Sequence, residues 1–350
     1  MASTDVEAAY LTRPVSIEYL TGVHAEPYER LMALAVKRDS ATLIVPAIEV
    51  ENAERAKTSA DIVSWRDGED PYRLVHRALH GTSRLAVEKE HLTVAAAEAL
   101  RERLGPHDLV DVAPEIRRLR RTKSPAELEK LQRAAVITDN ATAEILEWMH
   151  EGKTELEVAI ALGASIGAAG GTLAFETLVL SGPNSALPHG RPSGRRLGAG
   201  DLVLLDFGAA FGGYKADTTR MAVVGANTEK HREIHELVLA GHDAAIAAVR
   251  AGITSGHVDA AARGVIERGG YGKEFFHRVG HGLGLEGHED PSLDPGSDTL
   301  LEEGMVFTIE PGVYIPGWGG VRIEDDVVVQ EGGCHVLTQA DRSLRVIPSK

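Results

Sequence analysis

Short apolar runs and helical spacings alternate along this chain, and the two ends of the sequence read differently. In residues 1 to about 120, the run at 41–46 (ATLIVP) predicts a strand, while Tyr72–Leu79 and residues 95–104 carry apolar positions at helical intervals. Ser124-Pro125-Ala126-Glu127 then pairs a capping serine with a glutamate three positions on and a proline at the first helical position. That pattern predicts a helix to about His150, with Gly152 as its stop. Thr154 to Glu157 repeats the capping pattern and opens a second helix towards Gly167. Strands are predicted at 177–180, 202–209 and Thr218–Val224, and helices near 230–249 and 258–268. The last part predicts strands at 275–280, 305–310 and 321–329. Helix, helix and strands thus occur twice in succession, which predicts two similar halves facing each other.

Length and composition sharpen this picture. At 350 residues, two domains are expected, at 1–122 and 123–350, in an α/β (α+β) fold. A content of 43% hydrophobic and 25% charged residues is that of an ordinary globular protein. The net charge of -15 argues against a general affinity for nucleic acid or anionic membrane. The basic run at 117–123 (RRLRRTK) is therefore read as a solvated surface at the domain junction. One cysteine, Cys334, precludes an intrachain disulfide and fits a reducing compartment. The opening MASTDVEAAYLTRP lacks the basic and apolar regions of a signal peptide, and no apolar run approaches the ~20 residues of a membrane span. The expected setting is cytoplasmic.

Against that background five residues stand out. Asp206 ends the apolar run that starts at Leu202, Glu310 follows Val306 to Ile309, and Glu324 follows Val321 and Ile323. Asp217 lies in GGYKADTTR, and His281 in HRVGHGLGLEGHED. Strands with such runs are usually buried, and a buried carboxylate is costly unless something pairs with it. Singly, each residue is as well explained by a strand end, a turn histidine or a surface ion-pair ladder. Together, four carboxylates and one imidazole form a hard, oxygen-rich donor set that two divalent cations would balance. Carboxylate bridging would hold such ions about 3.5–4 Å apart, and the expected chemistry is metal-assisted hydrolysis of an amide.

In this order the motifs resemble the "pita-bread" metallopeptidases of the aminopeptidase P and prolidase branch. The resemblance covers residues 124–345 strongly. It reaches residues 1–120 through IEYLTG (17–22), which is similar to the creatinase-type N-terminal domain. It implies that Asp206 holds one metal, that Asp217 and Glu324 bridge both, and that His281 and Glu310 complete the second. Glu310 would also take a proton from water. His189 in SALPHGRP and His288 match catalytic histidines at the substrate cleft. His277 matches a third histidine lining it, and Arg322 an arginine that orients the carboxylates. Tyr214 is a candidate for hydrogen bonding within the site, with packing as its plainer reading. The implied ions are a manganese pair, with cobalt or zinc as alternatives, and a homodimer is expected by family analogy.

Within the branch, prolidases hold the dipeptide carboxylate with an arginine after the second active-site histidine. Here residues 289–309 contain no arginine or lysine. The expectation is therefore an Xaa-Pro aminopeptidase acting on peptides with proline at the second position, with Xaa-Pro dipeptidase as the alternative. A metal-free creatinase-type enzyme and a non-catalytic peptide-binding module are remoter readings, since both classes lose ligands that are intact here.

Overall fold

The computed structural model describes residues 6–105 and 108–349. Part of the opening segment, residues 1–5, lies outside the described residues. The chain divides into two compact units, Met1–Arg120 and Arg121–Lys350.

The first unit is built on a six-stranded mixed sheet. Its order is Asp61–Trp65, Ser40–Pro46, Ala33–Lys37, Ala8–Leu11, Arg84–Val87 and Asp108–Asp111. Side chains alternate across a strand, so an unbroken apolar run must bury both faces. Leu43 and Val45 pack in one core with Leu11, Ile17 and Leu34. Ile44 faces the other way and packs with Tyr10, Val75, Leu79 and Leu100.

The second unit repeats one plan. Helices Pro125–Trp148 and Glu155–Ala168 lie on a four-stranded sheet ordered Arg345–Ile347, Thr218–Val224, Leu202–Phe207 and Leu178–Ser181. Both helices open on the capping boxes read from the sequence, at Ser124/Glu127 and Thr154/Glu157. Helices Glu229–Ala248 and Ser255–Arg268 accompany a five-stranded sheet ordered Glu289–Ser292, His281–Gly282, Val306–Ile309, Asp325–Gln330 and Gly333–Val336. The strand Leu202–Phe207 serves both halves. Val203, Leu205 and Phe207 pack on the first helix pair, whereas Leu202 and Leu204 join the core of the second pair. Asp206, by the same alternation, shares the face of Leu204 and looks into the second half.

Three expectations are corrected. Residues 275–280 form no strand; hydrogen bonds from helix Ser255–Arg268 hold them in place of a ladder. The predicted strand at 321–329 is two, Gly319–Arg322 and Asp325–Gln330, in different sheets, with Glu324 at the break. The basic run is not wholly solvated: Arg120 and Lys123 are buried, and Lys123 Nζ lies 3.4 Å from Glu289 Oε2. Among the described residues no helix is long and apolar enough to cross a membrane.

Candidate metal centre

Backbone register assembles the acids in a row. Thr219 pairs with Asp206 across the antiparallel strands and bridges to Glu324 on its other side. Asp217 lies two residues before Thr219 and therefore shares its face. The pairing of Ile309 with Asp325 runs antiparallel, so its continuation sets Glu310 opposite Glu324. His281 is hung from the same strand, its backbone N–H donating to Thr308 Oγ1 at 3.1 Å. Ligand atoms of Asp217, His281 and Glu324 all lie within 4.8 Å of one another. His281 Nε2 is 3.3 Å from Glu310 Oε1 and 4.0 Å from Asp217 Oδ2. All five residues line a single cavity of about 780 Å³.

The electrostatics call for a cation. Burial first, then neighbouring carboxylates, raises Asp217 and Glu324 well above the ordinary carboxyl range. Burial also raises Asp206, against the pull of Arg322, and pushes Glu310 up to about 7. Arg322 donates to Asp206 through Nη2, to Thr219 Oγ1 at 2.9 Å and to the Tyr314 hydroxyl at 2.9 Å. One guanidinium cannot balance four carboxylates, two of them buried and two half-buried. Asp217 Oδ1 is buried with no hydrogen-bond partner, an arrangement that is costly unless an ion uses the oxygen. His281 is held to about 3 by burial and by His288, so its imidazole is neutral. Its Nδ1 donates to the Gly282 carbonyl at 3.1 Å, which leaves the Nε2 lone pair facing the carboxylates. Neutral imidazole and oxygen donors suit a divalent ion.

Residues 129–331 match the pattern of metallopeptidase family M24, and residues 1–122 that of the creatinase/prolidase N-terminal domain. The chain belongs to metallopeptidase family M24. A protein named Xaa-Pro dipeptidase from Lactobacillus helveticus is 39% identical over 350 residues, covering 98% of this chain and 95% of that protein. The crystal structure of X-Pro aminopeptidase from Thermotoga maritima MSB8 is similar at a TM-score of 0.91 and 31% identity, covering 98% of both chains. Prolidase from Pyrococcus furiosus is similar at 0.90 and 37% identity, covering 98% of this chain and 99% of that one. The pita-bread branch expected from the motifs is thus the right one, and divalent metal ions belong to the site of an M24 enzyme.

The remaining predicted residues divide. His189, His277, His288 and Arg322 line the same cavity as the acids. The His288 ring lies against that of His281, with centroids 3.9 Å apart and planes tilted by 45°. Tyr214 does not line the cavity; its hydroxyl donates to Glu127 Oε1 at 2.7 Å on the first helix of this unit. The hydrogen-bonding tyrosine is Tyr314, which sequence reasoning missed; it sits behind the lining residues Arg322 and His277. Arg322 donates to the Tyr314 hydroxyl, which donates to His277 Nε2 at 3.1 Å, while His277 Nδ1 donates to the Arg278 carbonyl at 2.6 Å. Burial holds His277 at about 4 and raises Tyr314 to about 12, so the hydroxyl keeps its proton and the imidazole accepts it. Arg278 was also missed. It lines the cavity three residues before His281, upstream of the segment in which a clamp was sought.

Proposed function

We propose that this M24 enzyme is an Xaa-Pro dipeptidase. The observation that carries the reading is Arg278, a guanidinium on the wall of the cavity that holds the metal-site carboxylates. A dipeptide presents an amine at one end and a carboxylate at the other, and Arg278 offers the charge-assisted partner for the second. The expectation of longer peptides rested on the lack of a cation after His288. That reason lapses once the cation comes from before His281. The Lactobacillus and Pyrococcus relatives support the same choice.

In this reading Asp206, Asp217, His281, Glu310 and Glu324 would together hold two divalent ions. Two divalent ions would polarise the scissile carbonyl and acidify a water, with manganese favoured by the oxygen-rich donors. Glu310 would accept a proton at a carboxyl oxygen and return it to the leaving proline nitrogen. His288 and His189 stand at the same cavity and offer ring N–H groups to the substrate carbonyls. Proline suits such a site, because its peptide nitrogen carries no N–H for an enzyme to grip. A homodimer and a cytoplasmic setting, from family resemblance and the single cysteine, complete the proposal.

Manganese-loaded protein should be given Ala-Pro and Ala-Pro-Ala and compared by kcat/KM. A dipeptide preference of about tenfold or more is expected from one charged hydrogen bond. Preference for the tripeptide would return the assignment to aminopeptidase P.

A further inference from the structure

Helix Ser255–Arg268 touches the cleft only through its neighbours, yet it holds both the backbone and the side chain of Arg278. Asp259 is 1% exposed and pairs with Arg263 one turn on, Nε to Oδ2 and Nη2 to Oδ1 both at 2.8 Å. A pair with i,i+4 spacing is usually a surface feature of little weight. Here its spare hydrogen bonds all go to one segment. Arg263 Nη1 donates to the Phe275 carbonyl at 2.9 Å and Nη2 to the His277 carbonyl at 2.8 Å. Asp259 Oδ1 accepts from the Val279 N–H at 3.1 Å. The guanidinium lies 4.2 Å over the Phe275 ring.

The peptide units on either side of Arg278 are therefore tied to one ion pair, its aspartate buried and its arginine half-buried. That fixes the backbone torsions of Arg278 and hence where its side chain starts. The far end is tied to the same helix. Arg278 Nη1 donates to Ser292 Oγ at 2.8 Å, and the Ser292 carbonyl accepts from Ser255 Oγ at 3.0 Å, at the first turn of that helix. Residues 275–280 belong to no sheet; backbone bonds to Leu293 and Glu310 anchor Val279 and Gly280, and the ion pair adds the tie at the His277 carbonyl.

We propose that Asp259 and Arg263 are positioning residues for substrate-carboxylate recognition, acting through Arg278. This rests on the dipeptidase reading, in which Arg278 binds the carboxylate. Neither residue touches substrate. Both act on the aim of the guanidinium that does.

The test compares Ala-Pro with Ala-Pro amide, which keeps the amine and the scissile bond but lacks the carboxylate. Arg263→Lys keeps the charge but cannot serve Asp259 and two carbonyls at once. KM for Ala-Pro should rise about tenfold, the lower range for one charged hydrogen bond, with kcat and bound metal little changed. For the amide, kcat/KM should stay within about threefold of wild type, since the lost contact was never made. Equal losses on both substrates, or no loss on either, would overturn the inference. Should Arg263→Lys fail to fold, Asp259→Asn is read in the same way and must show the same split. Arg278→Ala sorts the two claims. If it leaves acid-over-amide discrimination intact, the dipeptidase reading fails and the inference with it. If it abolishes discrimination while Arg263→Lys preserves it, the positioning inference alone fails.

Discussion

Gly208 sits between two of the proposed ligands, directly after Asp206-Phe207 and against the peptide that leads into Asp217. A Cβ added there would lie 1.7 Å from the Ala216 carbonyl oxygen, where real Cβ atoms essentially never come closer than 3.0 Å. At least 1.3 Å must therefore be found, the difference of those two distances, and the obstacle is backbone that no rotamer change can clear. The displaced peptide carries the Asp217 N–H, which donates to Asp326 Oδ2 at 2.9 Å. Ligand positions must hold to about 0.2 Å for a metal site, so this movement is several times the tolerance. Overpacking of this kind costs about 1–3 kcal/mol, which a domain with a typical stability of about 5–15 kcal/mol survives. Gly208→Ala should thus keep its far-ultraviolet circular dichroism while losing manganese affinity by roughly 10–100-fold, with kcat/KM falling by about a hundredfold. Calorimetric titration of metal-free protein measures the first and steady-state kinetics the second. Gly287→Ala is the control: its Cβ would meet nothing within 4 Å on the same cavity wall, and manganese affinity should not change. Affinity within threefold of wild type for Gly208→Ala would refute the placement of Asp217 in the metal site.

Removal of divalent ions by a chelator should lower the melting temperature by about 5–10 °C relative to protein at a hundred times the dissociation constant, where binding contributes about 2.7 kcal/mol. A melting point indifferent to metal would contradict the carboxylate cluster. Arg322→Gln withdraws the guanidinium that contacts Asp206, Thr219 and Tyr314, and the metal-free protein should lose roughly 3–5 kcal/mol in a denaturant titration, less when metal is present. Thr154→Ala removes the hydroxyl that accepts from the Glu157 N–H at 3.1 Å; it should cost about 1 kcal/mol and leave kcat/KM unchanged.

Much of the metal centre was legible because its acids interrupt apolar runs. Asp206 and Glu310 each end such a run, and only a paired or metal-bound carboxylate is tolerated there. Chain order carries no cross-strand register, and the misreadings follow from that. Tyr214 and Tyr314 both flank glycine-rich turns, but Gly312 pairs with Arg322, and this hairpin brings Tyr314 under the guanidinium while Tyr214 turns to Glu127. Residues 321–329 read as one strand because their apolar residues continue through the break at Glu324. Arg278 escaped notice for a related reason: it was sought in the segment after His288, while the chain delivers it from before His281. Asp259 and Arg263 have the spacing of any exposed helical pair, and only their hydrogen bonds to residues 275–279 give them a task.

On the proposed reading, substrate length is selected at two charged ends. The carboxylate cluster attracts the substrate ammonium, although the amine must lose its proton before it can bind a metal ion. Arg278 meets the carboxylate. Each added residue moves the C-terminus by up to about 3.5 Å, a full hydrogen-bond length, so a tripeptide cannot keep its scissile bond at the metals and its carboxylate at an immobile Arg278. Immobility is the essential condition. A free arginine side chain could follow the substrate over that distance, and selectivity would fade. Arg278 is held by Ser292 at its tip and by the Asp259–Arg263 pair on both flanking peptides. Rigidity in a segment without secondary structure is therefore what lets one cation discriminate between two substrates that share the same scissile bond.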